Sequence, residues 1–205
     1  MEEKKLEKII DQLSYLELDR DIKGTINELV DEIKSLKEIL RFKNTKIGEL
    51  EHLVAEDVLL PIYNRRAFVE ELSRSISMSK RYKTESTLVY FDVNNMKQIN
   101  DTYGHEAGDR ALLHVTQILR ARVREFDVLG RIGGDEIGLI LYQCNSDDGR
   151  TKAVQLANDI SNNQLMISRA NFGITVTFGT YTYSGDEDAA RVLAKADKSM
   201  YEKVR

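Results

Sequence analysis

The chain has 205 residues, 41% of them hydrophobic and one of them proline, so it can bury a full core and suits one domain of ordinary size with an appendage. A charged fraction of 31% with a net charge of -4 gives no single-sign surface field, which does not point to nucleic acid as a partner and leaves room for a local phosphate site. A lone Cys144 excludes an intramolecular disulfide, no apolar run approaches the roughly 18 residues needed to cross a bilayer, and the opening Met1-Glu2-Glu3-Lys4-Lys5 lacks the apolar core of a secretory signal, so a reducing cytoplasm and no membrane anchor are expected.

The composition shifts near Asp57, which we take as the boundary between a helical segment, residues 1–56, and an α/β domain, residues 57–205. Leu6, Ile9, Leu13 and Leu16 form a first apolar stripe, which Asp19 through Gly24 interrupts with acidic residues and a poor helix former, leaving the first helix free to fold back on the next. From Ile26 onward a heptad seam runs through four repeats, with Ile26, Ile33, Leu40, Ile47 and Val54 at the a positions. Leu29, Leu36 and Leu50 fill three of the four d positions, and Lys43 breaks the fourth. This pattern predicts a parallel two-stranded coiled coil and hence a homodimer, and it names no signal.

The spacing then predicts a helix over 66–81, a buried strand over 87–93 and an amphipathic helix over 109–124. Segments 127–132 and 137–142 read as strands closed by Gly133-Gly134, a doublet expected to supply the positive backbone torsions of a tight antiparallel hairpin. A helix over 147–162, a strand over 174–183 and a helix over 188–203 complete the order strand, helix, hairpin, helix, strand, helix. The fold class is therefore α/β: an N-terminal α-helical coiled coil followed by a split βαβ sandwich of helices on a sheet.

Two acidic clusters fall where strands end, Asp92 on the first strand and Asp135-Glu136 in the hairpin turn. If the hairpin pairs beside the first strand, Asp92 and Asp135 converge on one hard divalent cation, and Mg²⁺ is usually held by one or two carboxylates plus substrate phosphates. An Asp-Glu pair beside two glycines is by itself ordinary turn chemistry; its surroundings change that reading. After Asp92 comes a polar, glycine-punctuated stretch, Asn94-Asn95-Met96-Lys97, Asn100-Asp101, Gly104-His105 and Gly108-Asp109, expected as a loop between strand and helix. Backbone N–H groups there can face an anion, Lys97 adds a point charge, and Asn100 with Asp109 offers the donors and acceptors a purine edge needs. His105 suits either a structural hydrogen bond at a turn or a catalytic base, and the structural role is the one favoured.

The ordered blocks Phe91-Asp92-Val93-Asn94-Asn95-Met96-Lys97, Gln98-Ile99-Asn100-Asp101, Gly104-His105, Gly108-Asp109 and Gly133-Gly134-Asp135-Glu136-Ile137 resemble the GGDEF family of diguanylate cyclases, from about Asp57 to the C-terminus. The resemblance implies a palm-like sandwich related to nucleotidyl cyclases, condensation of two GTP into cyclic di-GMP, and a divalent cofactor, Mg²⁺ with Mn²⁺ as the alternative ion. It implies that Asp92 and Asp135, with the Val93 carbonyl, hold the metal, and that Glu136 is the second acidic residue needed for activity. It implies that Gly133 and Gly134 let the turn approach the nucleotide, that Lys97 and the Asn95 and Met96 amides contact phosphates, and that Asn100 with Asp109 reads guanine. Asp109 can accept from the guanine N1–H and N2 amine, a donor pair adenine lacks, so GTP is the expected substrate.

Arg124-Glu125-Phe126-Asp127 is an RxxD motif, which could be a helix-terminal Arg paired with a local Asp; in the family, an RxxD at this offset is the inhibitory site for cyclic di-GMP. Three departures stand out. Leu60-Pro61 replaces the usual Thr-Gly of the family's opening motif, Ile137 replaces the Phe of the signature, and Val204 falls where a phosphate-binding Lys is common, with Lys203 and Arg205 as nearby cations.

Overall fold

The computed structural model describes residues 20–53, 55–167 and 170–201. The stripe of Leu6 to Leu16, the fold-back expected of it, Val54, and the C-terminal Lys203, Val204 and Arg205 lie outside the described residues. The chain divides into two compact units, Met1–Leu53 and Val54–Arg205.

In the first unit, α1 (Arg20–Leu53) runs for 34 residues, roughly 50 Å at 1.5 Å per residue. It passes without a break through Gly24, where the sequence reading expected an interruption. One helical glycine costs only about 1 kcal/mol, and the Thr25 hydroxyl donates to the Asp21 carbonyl at 3.0 Å across that turn. The seam is amphipathic but exposed: Leu29, Leu36 and Leu40 each show more than half of their surface, and Ile33 shows 39%.

The second unit opens with α2 (Arg65–Tyr82), started by Asn64, whose side chain accepts from the Ala67 N–H at 2.9 Å, and ended by Lys83 in the left-handed region at φ 53°. Then follow β1 (Ser86–Val93), α3 (Met96–Tyr103), α4 (His105–Arg122), β2 (Val128–Arg131), β3 (Glu136–Leu141), α5 (Ser146–Asn162), β4 (Leu165–Ile167), β5 (Ala170–Phe172), β6 (Val176–Tyr183) and α6 (Ala189–Tyr201). The main sheet has the order β2-β3-β1-β6 with every neighbouring pair antiparallel, while β4 and β5 make a separate small hairpin. Strand, helix, hairpin, helix and strand therefore recur as read from the sequence, in an α/β sandwich.

Side chains alternate across the sheet. Val89, Phe91 and Val93 join a core with Leu112, Val115, Leu119, Leu156 and Ile160 of α4 and α5. Leu88 and Tyr90 join the opposite core with Phe68, Leu72 and Ile76 of α2 and Val192 and Ala196 of α6. By the same alternation Asp92 belongs to the α2/α6 side, at the far end of β1.

Two readings need correction. Residues 94–108, expected as a loop, form the whole of α3 and the first turn of α4, because Met96 and Ile99 sit three apart and are both buried, giving this polar stretch an anchored face. Gly104, at φ 85°, separates the two helices. The β4–β5 hairpin was not anticipated; the Phe172 ring meets Tyr103 edge-on at 5.6 Å, linking it to α3.

Candidate active site

The register of β1 against β3 builds the site. Asp92 stands opposite Glu136, and the Val93 N–H donates to the Asp135 carbonyl at 3.1 Å, so the acidic turn is hydrogen-bonded to the end of β1. Asp92, Asp135 and Glu136 are thereby brought together. Burial, then the nearby charges of Asp135, Glu136 and Asp197, push the Asp92 carboxyl above the ordinary carboxylate range. A cluster whose negative charges are mutually costly is one that a divalent cation relieves. Among the described residues no three His, Cys, Asp or Glu side chains are grouped to hold a metal unaided. Two carboxylates and a carbonyl suit Mg²⁺, which takes its remaining oxygens from water and phosphate, so the donor set fits a cation that arrives with a nucleotide.

The Gly133-Gly134 turn works differently from the expectation. Among the described residues the glycines with positive φ are Gly104 and Gly185, so neither turn glycine adopts a left-handed torsion. The loop between β2 and β3 spans residues 132–135, and the Ile132 N–H donates to the Glu136 carbonyl at 2.9 Å. At Gly133 the Glu136 side chain lies close: a Cβ there would be 2.0 Å from Glu136 Oε2, so a larger residue would oblige that carboxylate to move. Gly134 has open space around it and leaves that side of the turn clear.

Arg131, which the sequence reading passed over, clamps this turn. Its guanidinium donates to the carbonyls of Gly133 (3.1 Å) and Gly134 (2.7 Å) and pairs with Asp57 at 3.1 Å. Asp57 Oδ1 also accepts from the Leu59 and Leu60 N–H groups at 3.0 Å, and the Ile62 N–H reaches the Leu60 carbonyl around Pro61. Leu60-Pro61 thus makes a tight turn with Leu60 in the core and Pro61 exposed. Two more unanticipated residues face the acidic turn. Tyr90 is buried, hydrogen-bonds Glu136, and has its hydroxyl pKa pushed up by burial and then by that bond; Asp197 of α6 adds charge to both Tyr90 and Asp92. Position supplies their only sequence signal, since Tyr90 lies two residues before Asp92 on the same face of β1.

Beyond Val93 the chain turns sharply. Asn95 takes φ 62° and makes no side-chain capping bond, and α3 starts at Met96 with its N-terminal N–H groups next to the acidic cluster in sequence. Met96 buries its side chain, and Lys97 is exposed. Asn100 packs against α4: a Cβ on Gly108 would lie 2.0 Å from Asn100 Oδ1, and Asp109, the next residue, is exposed. His105 is the exposed first residue of α4. Ile137 is fully buried, so an aliphatic residue fills the signature's aromatic position.

Arg124 and Asp127 sit apart from this cluster. The Arg124 N–H donates to Asp127 Oδ2 at 3.0 Å and the Asp127 N–H returns to the Arg124 carbonyl at 3.1 Å, while the guanidinium lies 5.8 Å from the Phe126 ring centroid. Both residues line a cavity of about 350 Å³ with Cys144, Thr151, Lys152 and Gln155. Asp127 Oδ1 is buried without a hydrogen-bond partner.

The family model described as diguanylate cyclase, GGDEF domain, matches residues 54–205. The chain is 29% identical over 204 residues to the diguanylate cyclase TpbB of Pseudomonas aeruginosa, covering 97% of this chain and 45% of that protein. The crystal structure of the DgcB GGDEF domain from Caulobacter crescentus in complex with c-di-GMP superposes with a TM-score of 0.70 at 25% identity, over 74% of this chain and 88% of that one. The coiled coil and GGDEF domain of the same protein share the fold, with a TM-score of 0.70 at 23% identity over 91% of this chain and 95% of that one. The chain spans less than half the length of the curated relatives DgcP, TpbB and DosC, 29%, 45% and 37% of each.

Proposed function

Because the chain belongs to the GGDEF diguanylate cyclase family, we propose that it condenses two GTP molecules into cyclic di-GMP in the cytoplasm, releasing two pyrophosphates and acting as a homodimer. The observation that carries this reading is the β1–β3 register, which sets Asp92, Asp135 and Glu136 beside the start of α3. Asp92, Asp135 and the Val93 carbonyl would hold a divalent cation, Mg²⁺ or alternatively Mn²⁺, which when bound offsets charge on phosphoryl oxygens. Every other contribution comes from the chain. The Asn95 and Met96 N–H groups and Lys97 bind phosphates, Gly133 and Gly134 admit the nucleotide, and Asp109 accepts from the guanine N1–H and N2 amine with Asn100 alongside. Glu136, held by Tyr90, is the second acid of the turn.

One domain binds one GTP and the product needs two, so two sites must face each other. Each 3′-hydroxyl attacks the α-phosphate of the opposite GTP in line; the new P–O bond forms as the hydroxyl proton passes to water, the bond from the α-phosphorus to the oxygen bridging to the β-phosphate breaks, and pyrophosphate leaves. Positioning and electrostatics supply most of the acceleration. The helical segment, residues 1–56, raises the effective concentration of one domain for its partner by pairing along the exposed seam. Arg124 and Asp127 form a product-binding inhibitory site, supported by the adjoining cavity and by an Asp127 oxygen that awaits a donor.

The test is incubation of the purified chain with GTP and Mg²⁺ beside Asp135→Ala, with products separated by chromatography. The parent should yield cyclic di-GMP and pyrophosphate and the variant at most about one hundredth as much, since even outer-shell changes at metal sites cost 10–100-fold. A parent that bound cyclic di-GMP without consuming GTP would instead be a receptor.

A further inference from the structure

Between the acidic cluster and α3, the Asn94 side chain reaches across to Thr175, just before β6, and to Thr177 within it. The β1–β6 ladder ends at Val93 opposite Val176, and the Asn94 N–H extends it by one bond, to the Thr175 carbonyl at 3.0 Å. The carboxamide then grips the same strand at both ends: its nitrogen donates to Thr175 Oγ1 at 3.0 Å and its oxygen accepts from Thr177 Oγ1 at 2.8 Å. Thr177 itself stands opposite Asp92 in the ladder. Immediately afterwards the backbone swings into the left-handed region at Asn95, φ 62°, and α3 begins. A left-handed non-glycine residue persists only where its surroundings over-determine it. Here Asn95 makes no side-chain capping bond, whereas the preceding Asn94 side chain is hydrogen-bonded at both its nitrogen and its oxygen.

We propose that Asn94 is a positioning residue: clamped between Thr175 and Thr177, it fixes the turn that presents the Asn95 and Met96 N–H groups, and so governs affinity for the triphosphate of the substrate. The inference rests on the cyclase reading for its substrate, while the clamp is a property of the chain alone. It touches neither cation nor nucleotide, so its loss weakens binding of ground state and transition state alike, which appears in KM and not in kcat.

The experiment compares the full chain with Asn94→Ala, with the double variant Thr175→Val/Thr177→Val, and with Asn94→Asp, which keeps two oxygens able to accept from both threonine hydroxyls. Hydrogen exchange of the peptide spanning residues 94–103 is measured without nucleotide, and KM and kcat for GTP are measured with Mg²⁺. Asn94→Ala and the double threonine variant should each speed exchange in that peptide, leave α5 unchanged, and raise KM roughly tenfold with kcat within about twofold, the effect of losing two ordinary hydrogen bonds. Asn94→Asp should restore the slow exchange. Unchanged exchange in Asn94→Ala would overturn the clamp; faster exchange with an unchanged KM, or a fall in kcat at constant KM, would overturn its role in binding. A parent chain that made no product would defeat the cyclase reading separately, because the exchange measurement needs no nucleotide.

Discussion

The acidic turn and the long helix α1 show two ways in which a sequence pattern can become a functional element. In the turn, each group is fixed by another part of the same domain: Val93 by Asp135, the turn carbonyls by Arg131, Arg131 by Asp57, and Glu136 by Tyr90. In α1, Leu29, Leu36 and Leu40 form a regular apolar stripe that remains exposed, and the proposed pairing with a second chain would cover it. Spacing alone specifies the helix, whereas the turn depends on which strands pair.

The largest expected effect comes from breaking the helix. Leu36→Asp with Leu40→Asp places charge on the seam without touching the cyclase domain, so sedimentation should report monomers. At low enzyme concentration turnover should fall about 100-fold or more, the scale of a lost effective-concentration advantage, and should recover as the protein is concentrated. Turnover that stayed low at every concentration would mean that the helix does something other than bring domains together.

Arg131→Ala sharpens the other side of the comparison. It removes the donors to the Gly133 and Gly134 carbonyls and leaves Asp57 without its cation, while Asp92, Asp135 and Glu136 remain. We expect kcat to drop by about 10–100-fold, the range for groups that orient metal-holding residues, with the far-ultraviolet circular dichroism spectrum unchanged.

A smaller effect concerns stability and pH. Because burial and its acidic neighbours raise the Asp92 pKa, the metal-free fold is favoured when Asp92 is protonated, and this contribution is lost as pH rises through its folded-state pKa. In EDTA, therefore, Tm of the parent should fall from mildly acidic to neutral pH, and Asp92→Asn should flatten that fall and melt a few degrees higher at neutral pH, about 2–4 °C for a gain of 1 kcal/mol. Equal slopes in parent and variant would show that the cluster carries no such repulsion.

The order of elements along the chain and the acidic residues were legible in the sequence because hydrophobic spacing marks strands and helices, and Asp92 with Asp135-Glu136 lay at the ends of two readable strands. Helix α3 was not, because its polar residues mask an anchor of only Met96 and Ile99. The torsions of Gly133 and Gly134 were not legible either, because a Gly-Gly doublet has the same appearance whether or not it adopts a left-handed turn. The contacts of Arg131, Tyr90 and Asn94 were not legible, since each is made with a residue distant in the chain, Asp57, Glu136 and Thr175 with Thr177, and such pairings exist only once the sheet has formed.

The most direct test of the central claim, that strand register creates one cation site from Asp92 and Asp135, is calorimetric titration of Mg²⁺ into the chain saturated with a non-hydrolysable GTP analogue, for the parent, Asp92→Asn and Asp135→Asn. The account predicts saturable binding to the parent that either substitution weakens to a similar degree. Binding abolished by one substitution and untouched by the other would contradict it.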